Sequence, residues 1–302
     1  MAKRNRLNPK RTFGWPSGKN IEEPTTDIFG KANIRPKFSH PRSCIGTFKD
    51  LPGFDQCLRL KASEIPEHVQ SGVILAAITG LDQVIESGLR KSLKIVANLA
   101  YSKASNGGTR GVIVGRRNGP SLKDLRRGGK TILAEYPKAA RRWCRKQGIK
   151  AKILKCAGGA ESLVAAGVYD YCLVLVETGT SLKVNGLVEL ATVFRSETVL
   201  IANRAMYANP EAKEAVDFLA KLLLGAIEAR DKRYLTMNVP SEKLDEIVRI
   251  LPSIESPTMQ SLANGDYAVS SVVPLEGLAA LKLRLLKAGA TGIVELDAHS
   301  II

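Results

Sequence analysis

The residues with the clearest chemical potential form a short turn after an apolar run. Residues 173–176 read Leu-Val-Leu-Val and predict a strand. The turn that follows contains Glu177, Thr178, Gly179, Thr180, Ser181 and Leu182. Its glycine allows close approach of the main chain to a ligand, and its three hydroxyls can each donate to a phosphate oxygen. This pattern predicts a phosphate-binding turn, and an ordinary Thr-capped turn is the alternative.

Composition limits the class of protein. The chain has 302 residues and 44% hydrophobic content, so we expect two or three packed domains. No run approaches 18 apolar residues, and the basic start at residues 1–11 has no apolar core after it, which indicates a cytoplasmic protein without a membrane span. Five cysteines without a CxxC pair and three scattered histidines argue against a disulfide framework and against a zinc site. We expect no metal site built from side chains alone.

Positive charge is concentrated in two segments. Residues 1–50 carry 11 basic and 4 acidic side chains, and residues 101–160 carry 16 and 2. Such a field attracts polyanions, which include nucleotides, phosphosugars and nucleic acid, although charges at helical spacing usually face water. With only 5% aromatic residues there is little surface for stacking bases, which argues against nucleic acid as the partner.

The C-terminal 70 residues follow a recognisable order of elements. Turn signals and periodicity predict a strand over 233–240, a helix from Ser241 to about Leu251, strands over 258–262 and 267–273, a helix over 275–288 and a strand over 291–296. This β-α-β-β-α-β order is the ferredoxin-like arrangement. The segment has no cluster of acid, base and nucleophile, so we interpret it as a regulatory or assembly module.

Strands and helices alternate in the rest of the chain, which indicates an α/β fold. Strand candidates cover residues 73–78, 93–99, 111–114, 131–134, 151–154, 171–176 and 198–202. Ligands of such folds bind beyond the carboxyl ends of strands, and two Thr-Gly pairs, Thr79-Gly80 and Thr178-Gly179, occupy that position. Residues 101–108 are expected to cross between two lobes.

Several short motifs occur in order along nearly the whole chain. They are Trp15-Pro16-Ser17-Gly18-Lys19, Glu64-Ile65-Pro66, Ile78-Thr79-Gly80-Leu81-Asp82 with Glu86, Tyr101-Ser102-Lys103, Ala134-Glu135-Tyr136-Pro137, Gly158 with Glu161, Glu177 to Leu187, Met237-Asn238-Val239-Pro240 and Gly289 to Ile293. Together they resemble the long form of the ATP phosphoribosyltransferase family, which opens histidine biosynthesis and carries a C-terminal regulatory domain.

The resemblance implies a fold and a reaction. The fold would be two periplasmic-binding-protein-like (type II) α/β lobes and an ACT-like, ferredoxin-like domain. Lobe I would cover residues 1–102 with 190–229 returning to it, lobe II residues 103–189, and the C-terminal domain residues 230–302. ATP and phosphoribosyl pyrophosphate (PRPP) would condense to phosphoribosyl-ATP and pyrophosphate, with Mg²⁺ neutralising the diphosphate. The resemblance also implies a homo-oligomer and inhibition by histidine at the C-terminal domain.

The resemblance also implies roles for particular residues. The turn at 177–182 would bind the 5′-phosphate of PRPP. Glu161, the retained carboxylate of a Gly-x-x-Glu motif, and Lys19 would be catalytic. The other ligand-binding residues would be Thr79, Gly80, Asp82, Asp170 and Arg42.

Departures from the family pattern leave a second function open. Val174 and Leu75 stand where the family has carboxylates, and unpaired ribose hydroxyls in a closed site would cost about 1–3 kcal/mol per group. The alternative is a catalytically weakened relative that binds nucleotides or another polyanion as a sensor or assembly subunit.

Overall fold

The computed structural model describes residues 7–100, 108–252 and 256–302. The chain forms two compact units. The first contains residues up to Asp27 together with Ile34–Ala220, and the second contains Ile28–Asn33 together with Lys221–Ile302. The crossover expected at residues 101–108 lies outside the described residues except for Gly108, and so does the expected lobe boundary at residue 102.

Strands and helices alternate through most of the described chain. The strands are β1 (Thr12–Ser17), β2 (Lys37–Phe38), β3 (Ile45–Thr47), β4 (Gln56–Lys61), β5 (Ala76–Gly80), β6 (Leu93–Asn98), β7 (Thr109–Arg116), β8 (Lys130–Ala134), β9 (Ala151–Lys155), β10 (Tyr171–Val176), β11 (Leu187–Ser196), β12 (Thr198–Asn203), β13 (Lys232–Val239), β14 (Thr258–Ser261), β15 (Tyr267–Pro274) and β16 (Thr291–Asp297).

The helices are mostly short. They are α1 (Lys19–Lys31), α2 (Ile65–Gln70), α3 (Leu81–Ser87), α4 (Leu122–Arg126), α5 (Pro137–Lys146), α6 (Ala160–Ala165), α7 (Thr180–Val184), α8 (Pro210–Glu228), α9 (Leu244–Ile250) and α10 (Leu278–Lys287). Single 3₁₀ turns cover Pro9–Arg11, Met206–Ala208 and Ser241–Lys243. No described helix is both long enough and apolar enough to cross a lipid bilayer.

Two mixed sheets organise the first unit. In the described chain the first sheet has the order β2-β3-β4-β1-β5-β12-β6, and the second has the order β11-β7-β10-β8-β9. Strands β1, β4 and β5 run parallel, as do β8, β9 and β10. Their carboxyl ends therefore lie together at one edge of each sheet, which is where α/β folds bind ligands.

The first sheet is built around β1. This strand has parallel neighbours on both sides and buries Phe13 and Trp15 almost completely. A strand covered on both faces is apolar throughout and lacks the alternation of a half-exposed strand. Gly14 is required there, because a Cβ at this position would lie 2.5 Å from Cδ1 of Ile74 and 2.6 Å from Cβ of Ala77.

The second unit has an antiparallel sheet. Its order is β14-β15-β13-β16 in the described residues, and the connections through α9 and α10 complete the β-α-β-β-α-β path. Leu235, Met237 and Val269 on one face of the sheet pack with Ile247 of α9 and Leu285 of α10. The predicted ferredoxin-like domain is confirmed.

The predicted α/β class is confirmed as well, and β10 covers the residues expected for it. Strands β1 to β4 and β11 were not predicted, and α10 begins at Leu278, three residues after the predicted start of the last helix. Ser241 begins a 3₁₀ turn ahead of α9. The lobe boundaries stay a prediction; β11 belongs to the second sheet up to Ser196, and β12 returns to the first sheet from Thr198.

Candidate active site

The carboxyl edge of the second sheet collects the loops that follow β8, β9 and β10. Glu135 follows β8, the segment 156–159 follows β9 and leads into α6, and the turn 177–182 follows β10. The pairing of β10 with β8 and of β8 with β9 places these loops side by side. Three polar loops at one parallel edge form the part of this sheet best suited to binding a ligand.

The turn at 177–182 has the shape of an open cradle. Gly179 has a φ of +75°, a left-handed conformation that glycine adopts without strain, and α7 begins after it. The hydroxyls of Thr178 and Thr180 are 3.1 Å apart, and the Thr180 N–H donates to Oγ1 of Thr178 at 3.4 Å. Both threonines are exposed, whereas Leu182 is buried and anchors the turn to the core. The hydroxyls can therefore donate to an anion without displacing packed side chains.

Glu161 joins this turn from the neighbouring loop. It lies in the first turn of α6, after Gly158 and Gly159, whose φ values are +135° and +72°. The Ser181 hydroxyl donates to Oε2 of Glu161 at 3.1 Å. Two residues predicted from separate motifs are thus brought into direct contact.

Glu135 is a site residue that the analysis of the sequence did not single out. It is half-buried, and burial, followed by repulsion from Glu161, raises the pKa of its carboxyl above the ordinary value. Two carboxylates that affect each other across a ligand-binding edge are typical of functional sites. The signal available in the sequence was its position directly after the apolar strand candidate 131–134.

Cations are unevenly distributed around the second sheet. Arg110 lies opposite Val176 in the β7–β10 register, beside the turn, and pairs with Glu189 at 2.8 Å. Lys155 ends β9 at the same edge. Many other described cations of this segment lie in or just after α4, in the last turns of α5 or close to the start of β9, and these include Arg126, Arg127, Arg145, Lys146 and Lys150. Much of the positive charge therefore lies toward the opposite edge of the sheet, away from the turn.

The first sheet contributes a second set of predicted residues at its carboxyl edge. Thr79 is fully buried, and its hydroxyl donates to the Ala62 carbonyl at 2.8 Å. Asp82 is 7% exposed, and its carboxylate accepts hydrogen bonds from Ser196 at 2.7 Å and from Tyr136 at 2.9 Å. Gly80 precedes α3 and would clash with the Asp82 carboxylate if it carried a Cβ. The hydroxyl of Thr79 and the carboxylate of Asp82 are thus engaged by the protein itself.

Lys19 and Arg42 belong to the first sheet as well. Lys19 is the first residue of α1, after the carboxyl end of β1, and its side chain lies outside the described part of the structure. Arg42 is exposed in the loop between β2 and β3. Arg59 anchors this loop by donating to the carbonyls of Pro41 at 2.7 Å and Ser43 at 3.2 Å.

Asp170 is not brought to the site. It precedes β10, whereas the turn follows this strand, so about 23 Å of extended chain separates them. Its carboxylate pairs with Arg116 and with Lys130, each at 3.2 Å. We therefore assign Asp170 a structural ion pair in place of a ligand contact.

Val174 and Leu75, where the resemblance implied carboxylates, are core residues. Val174 is 3% exposed and packs in an apolar cluster that includes Leu133 and Val164, and Leu75 is 1% exposed. Both side chains therefore fill apolar space in this structure.

Among the described residues, no three His, Cys, Asp or Glu side chains are grouped so that they could hold a metal ion. Glu161 contacts the turn through Ser181, and Glu135 is close enough to Glu161 for that carboxylate to raise its pKa. The arrangement can bind an anion through hydroxyls and place two carboxylates beside it.

Comparison with known proteins covers almost the whole chain. The family described as ATP phosphoribosyltransferase matches residues 61–225, and the family described as HisG, C-terminal domain, matches residues 229–300. An ATP phosphoribosyltransferase of Nitratidesulfovibrio vulgaris is 33% identical over 292 residues, covering 96% of this chain and 97% of that protein. ATP phosphoribosyltransferase 1 of Geobacter sulfurreducens is 32% identical, covering 96% and 98%.

A solved structure agrees at the level of the fold. The ATP phosphoribosyl transferase (HisG:HisZ) complex from Thermotoga maritima superposes with a TM-score of 0.58 at 23% identity, covering 72% of this chain and 98% of that one. The two family matches, the full-length relatives and the turn at the carboxyl edge of β10 agree, and the chain belongs to the ATP phosphoribosyltransferase family.

Proposed function

We propose that this protein condenses ATP with PRPP to give phosphoribosyl-ATP and pyrophosphate in the cytoplasm, and that the turn at 177–182 binds the 5′-phosphate of PRPP. The observation that carries the proposal is the contact between the turn and Glu161, with the Ser181 hydroxyl 3.1 Å from the carboxylate. This contact places the anion-binding turn beside a carboxylate at the carboxyl edge of the second sheet. A phosphorylated sugar has both the anion and the reacting carbon that such a site requires.

The reaction itself demands mainly positioning. N1 of adenine attacks the anomeric carbon of PRPP, a C–N bond forms, and the bond to pyrophosphate breaks with its electron pair leaving on the diphosphate. Positive charge develops on the ribose in between, so groups held in place around the sugar lower the barrier. No covalent intermediate with the protein is needed.

Each proposed role follows from the position of the residue at the carboxyl edge of its sheet. Thr178 and Thr180 donate hydroxyl hydrogens to the 5′-phosphate, Ser181 lines the phosphate site while its hydroxyl donates to Glu161, and Gly179 lets the main chain approach the phosphate. Glu161 is oriented by Ser181 and stabilises the positive charge of the ribose. Lys19, at the corresponding edge of the first sheet, is proposed to stabilise negative charge on the departing pyrophosphate.

The family uses a divalent metal ion, and we propose Mg²⁺. Mg²⁺ prefers oxygen ligands and is usually bound by one or two carboxylates together with substrate phosphates and water. Glu135 and Glu161 match that donor set, since the described residues contain no larger group of ligating side chains. The ion would neutralise charge on the diphosphate, while the two carboxylates would hold it beside the turn.

The weakened-sensor alternative is not favoured. It was motivated by Val174 and Leu75, and both side chains fill the core. Their apolar character therefore has a structural reason that is independent of turnover.

The direct test is to incubate the full-length protein with ATP, PRPP and Mg²⁺ and to measure phosphoribosyl-ATP and pyrophosphate. Thr178→Ala should raise the KM for PRPP about 10- to 100-fold, which corresponds to one lost hydrogen bond to a charged group. Thr258→Ala is the matched control, because this threonine is exposed on β14 of the second unit. No product at micromolar enzyme, or equal effects of the two variants, would refute the assignment.

We also propose that the protein is a homo-oligomer. Tyr234, Val294 and Leu296 are 38%, 48% and 52% exposed on the sheet of the second unit, and Tyr234 pairs directly with Leu296. Exposed apolar patches of this kind often mark interfaces. Light scattering of the full chain and of Leu296→Lys should give a smaller mass for the variant.

Histidine is the proposed inhibitor at the second unit. A cavity of about 260 Å³ there is lined by Glu276 and Arg284 among apolar side chains. An acid and a base suit the ammonium and carboxylate of an amino acid. Calorimetry of the full chain with histidine and with lysine tests this, and Arg284→Gln should lose histidine binding while retaining turnover.

A further inference from the structure

A buried polar cluster joins the two sheets of the first unit. It contains Asp82 and Gln83 of α3, Tyr136 after β8, and Ser196 at the end of β11. Asp82 receives the Ser196 hydroxyl on Oδ1 at 2.7 Å, and it receives the Tyr136 hydroxyl at 2.9 Å and the Gln83 amide at 2.6 Å on Oδ2. The Asp82 N–H donates back to Ser196 Oγ at 2.9 Å. We call these four residues the Asp82 cluster.

The Asp82 cluster lies where the chain crosses between the sheets. Ser196 ends β11 in the second sheet, and Thr198 begins β12 in the first, so residue 197 alone connects them. The Leu81 N–H donates to the Glu197 carbonyl at 2.8 Å, and the Leu99 N–H donates to the Thr198 carbonyl at 2.7 Å. Leu99 directly follows β6, so the chain leaving the first sheet and the chain returning to it lie side by side. A change in the angle between the sheets would therefore alter the contacts of these residues.

The Asp82 cluster holds the two sheets together through directed hydrogen bonds, which ordinary apolar packing between sheets does not require. A buried carboxylate is stable only when its oxygens are hydrogen-bonded, and here both oxygens have donors from the second sheet. Burial raises the pKa of Tyr136, and the Asp82 carboxylate raises it further, so its hydroxyl stays protonated as a donor. The ring is fixed from the other side by Phe194, at 5.6 Å between centroids and 71° between planes.

A second contact from the same helix supports this placement. Glu86 accepts the N–H groups of Lys138 and Ala139 at 3.0 and 2.9 Å, and these residues lie in the first turn of α5. Helix α3, which follows β5 of the first sheet, is therefore hydrogen-bonded to Tyr136 after β8 and to the start of α5. The same stretch of chain, 135–138, carries Glu135 at the proposed active site.

We propose that Tyr136 and Ser196 are positioning residues, whose bonds to Asp82 fix the angle at which the first sheet faces the turn 177–182. The inference rests on the proposed function for its catalytic consequence. PRPP would bind through the turn on the second sheet, and ATP would react only when the first sheet is held at the correct angle. A misplacement of about 1 Å is enough to slow such a reaction about 100-fold.

The test compares two tyrosines that differ in what they join. Tyr136→Phe removes a hydroxyl that bridges the sheets, whereas Tyr171→Phe removes a buried hydroxyl that donates to the Ser121 carbonyl within the second sheet. We expect Tyr136→Phe and Ser196→Ala to lower kcat about 10- to 100-fold. The Kd for PRPP, measured by calorimetry, should change less than threefold. Tyr171→Phe should lower stability but leave kcat within about twofold, and Ser196→Thr should restore most of the rate.

A second measurement does not depend on turnover. Small-angle X-ray scattering of the free protein should show a broader distribution of dimensions for Tyr136→Phe than for Tyr171→Phe, because only the former loosens the angle. Equal kcat and equal scattering for the two variants would overturn the inference. Absence of product from the wild-type protein would refute the proposed function, and the scattering comparison would still decide the role of the Asp82 cluster.

Discussion

Replacing Val174 with aspartate tests whether the side chain at this position contacts the ligand or fills the core. The resemblance described above implies a carboxylate at this position, so the substitution would improve PRPP binding if the side chain reached the ligand. In this structure the side chain is 3% exposed and packs with Leu133 and Val164 below the turn. We therefore expect Val174→Asp to destabilise the protein without lowering the KM for PRPP.

The size of the effect follows from burial. An apolar environment raises the pKa of a fully buried carboxyl by about 3 pH units, and this is equivalent to about 4 kcal/mol of unfolding free energy at pH 8. Loss of the buried methyl groups adds about 1–2 kcal/mol at every pH. Domains are typically stable by about 5–15 kcal/mol, so the variant should be folded at pH 5 and marginal at pH 8.

The unfolding free energy of Val174→Asp should depend on pH in a defined direction. A carboxyl whose pKa is raised by folding destabilises progressively as the pH rises above its unfolded value of about 3.9, and the effect stops at the raised value. Urea unfolding of Val174→Asp should therefore lose about 1.4 kcal/mol per pH unit between pH 5 and 7, relative to wild type. Val174→Asn is the control of similar shape, and its difference from wild type should not change with pH.

A stable Val174→Asp variant with improved PRPP binding would refute this reasoning. If Val174→Asp were as stable as Val174→Asn at pH 8 and bound PRPP more tightly than wild type, the carboxylate would be reaching the ligand. The assignment of this side chain to the core would then be wrong.

Three other predictions test separate parts of the first unit. Gly179→Ala and Gly148→Ala should each cost about 1–2 kcal/mol, because both glycines have left-handed φ values of +75° and +67°, but only Gly179→Ala should raise the KM for PRPP. Glu135→Gln should increase unfolding free energy more at pH 8 than at pH 4, since the raised pKa makes this carboxylate destabilising once ionised, and urea titrations at the two pH values measure it. Burial raises the pKa of Cys57 to about 12, so a thiol reagent at pH 8 should label the exposed Cys44 within minutes and Cys57 only on unfolding, as followed by mass spectrometry.

Local sequence patterns were enough for part of the fold. The apolar run 173–176 and the glycine after it fix both β10 and the start of α7, because strand and turn are decided within a few residues. The ferredoxin-like unit was predictable for the same reason. Strand β1 was not, since Gly14 and Pro16 break any periodic pattern, and its burial depends on strand partners 44 and 63 residues away.

Local sequence patterns also predict only part of the candidate site. The turn and Glu161 could be predicted from their motifs, because glycine, hydroxyl and carboxylate stand at recognisable spacing. The Asp82 cluster could not be predicted, since the partners of Asp82 from the second sheet, Tyr136 and Ser196, lie 54 and 114 residues away. Asp170 was expected among the ligand-binding residues, but the extended strand between it and the turn places it at the other end of the sheet.

The position of β12 between β5 and β6 has a consequence for biosynthesis on the ribosome. Every strand of the second sheet is translated before β12, and in the described chain β6 pairs only with β12. The second sheet can therefore complete itself as a continuous insert while β5 and β6 wait with unpaired edges for about 100 residues of synthesis. Nascent chains that stop before Thr198 should expose these edges, and this interval is when the polypeptide most needs a chaperone.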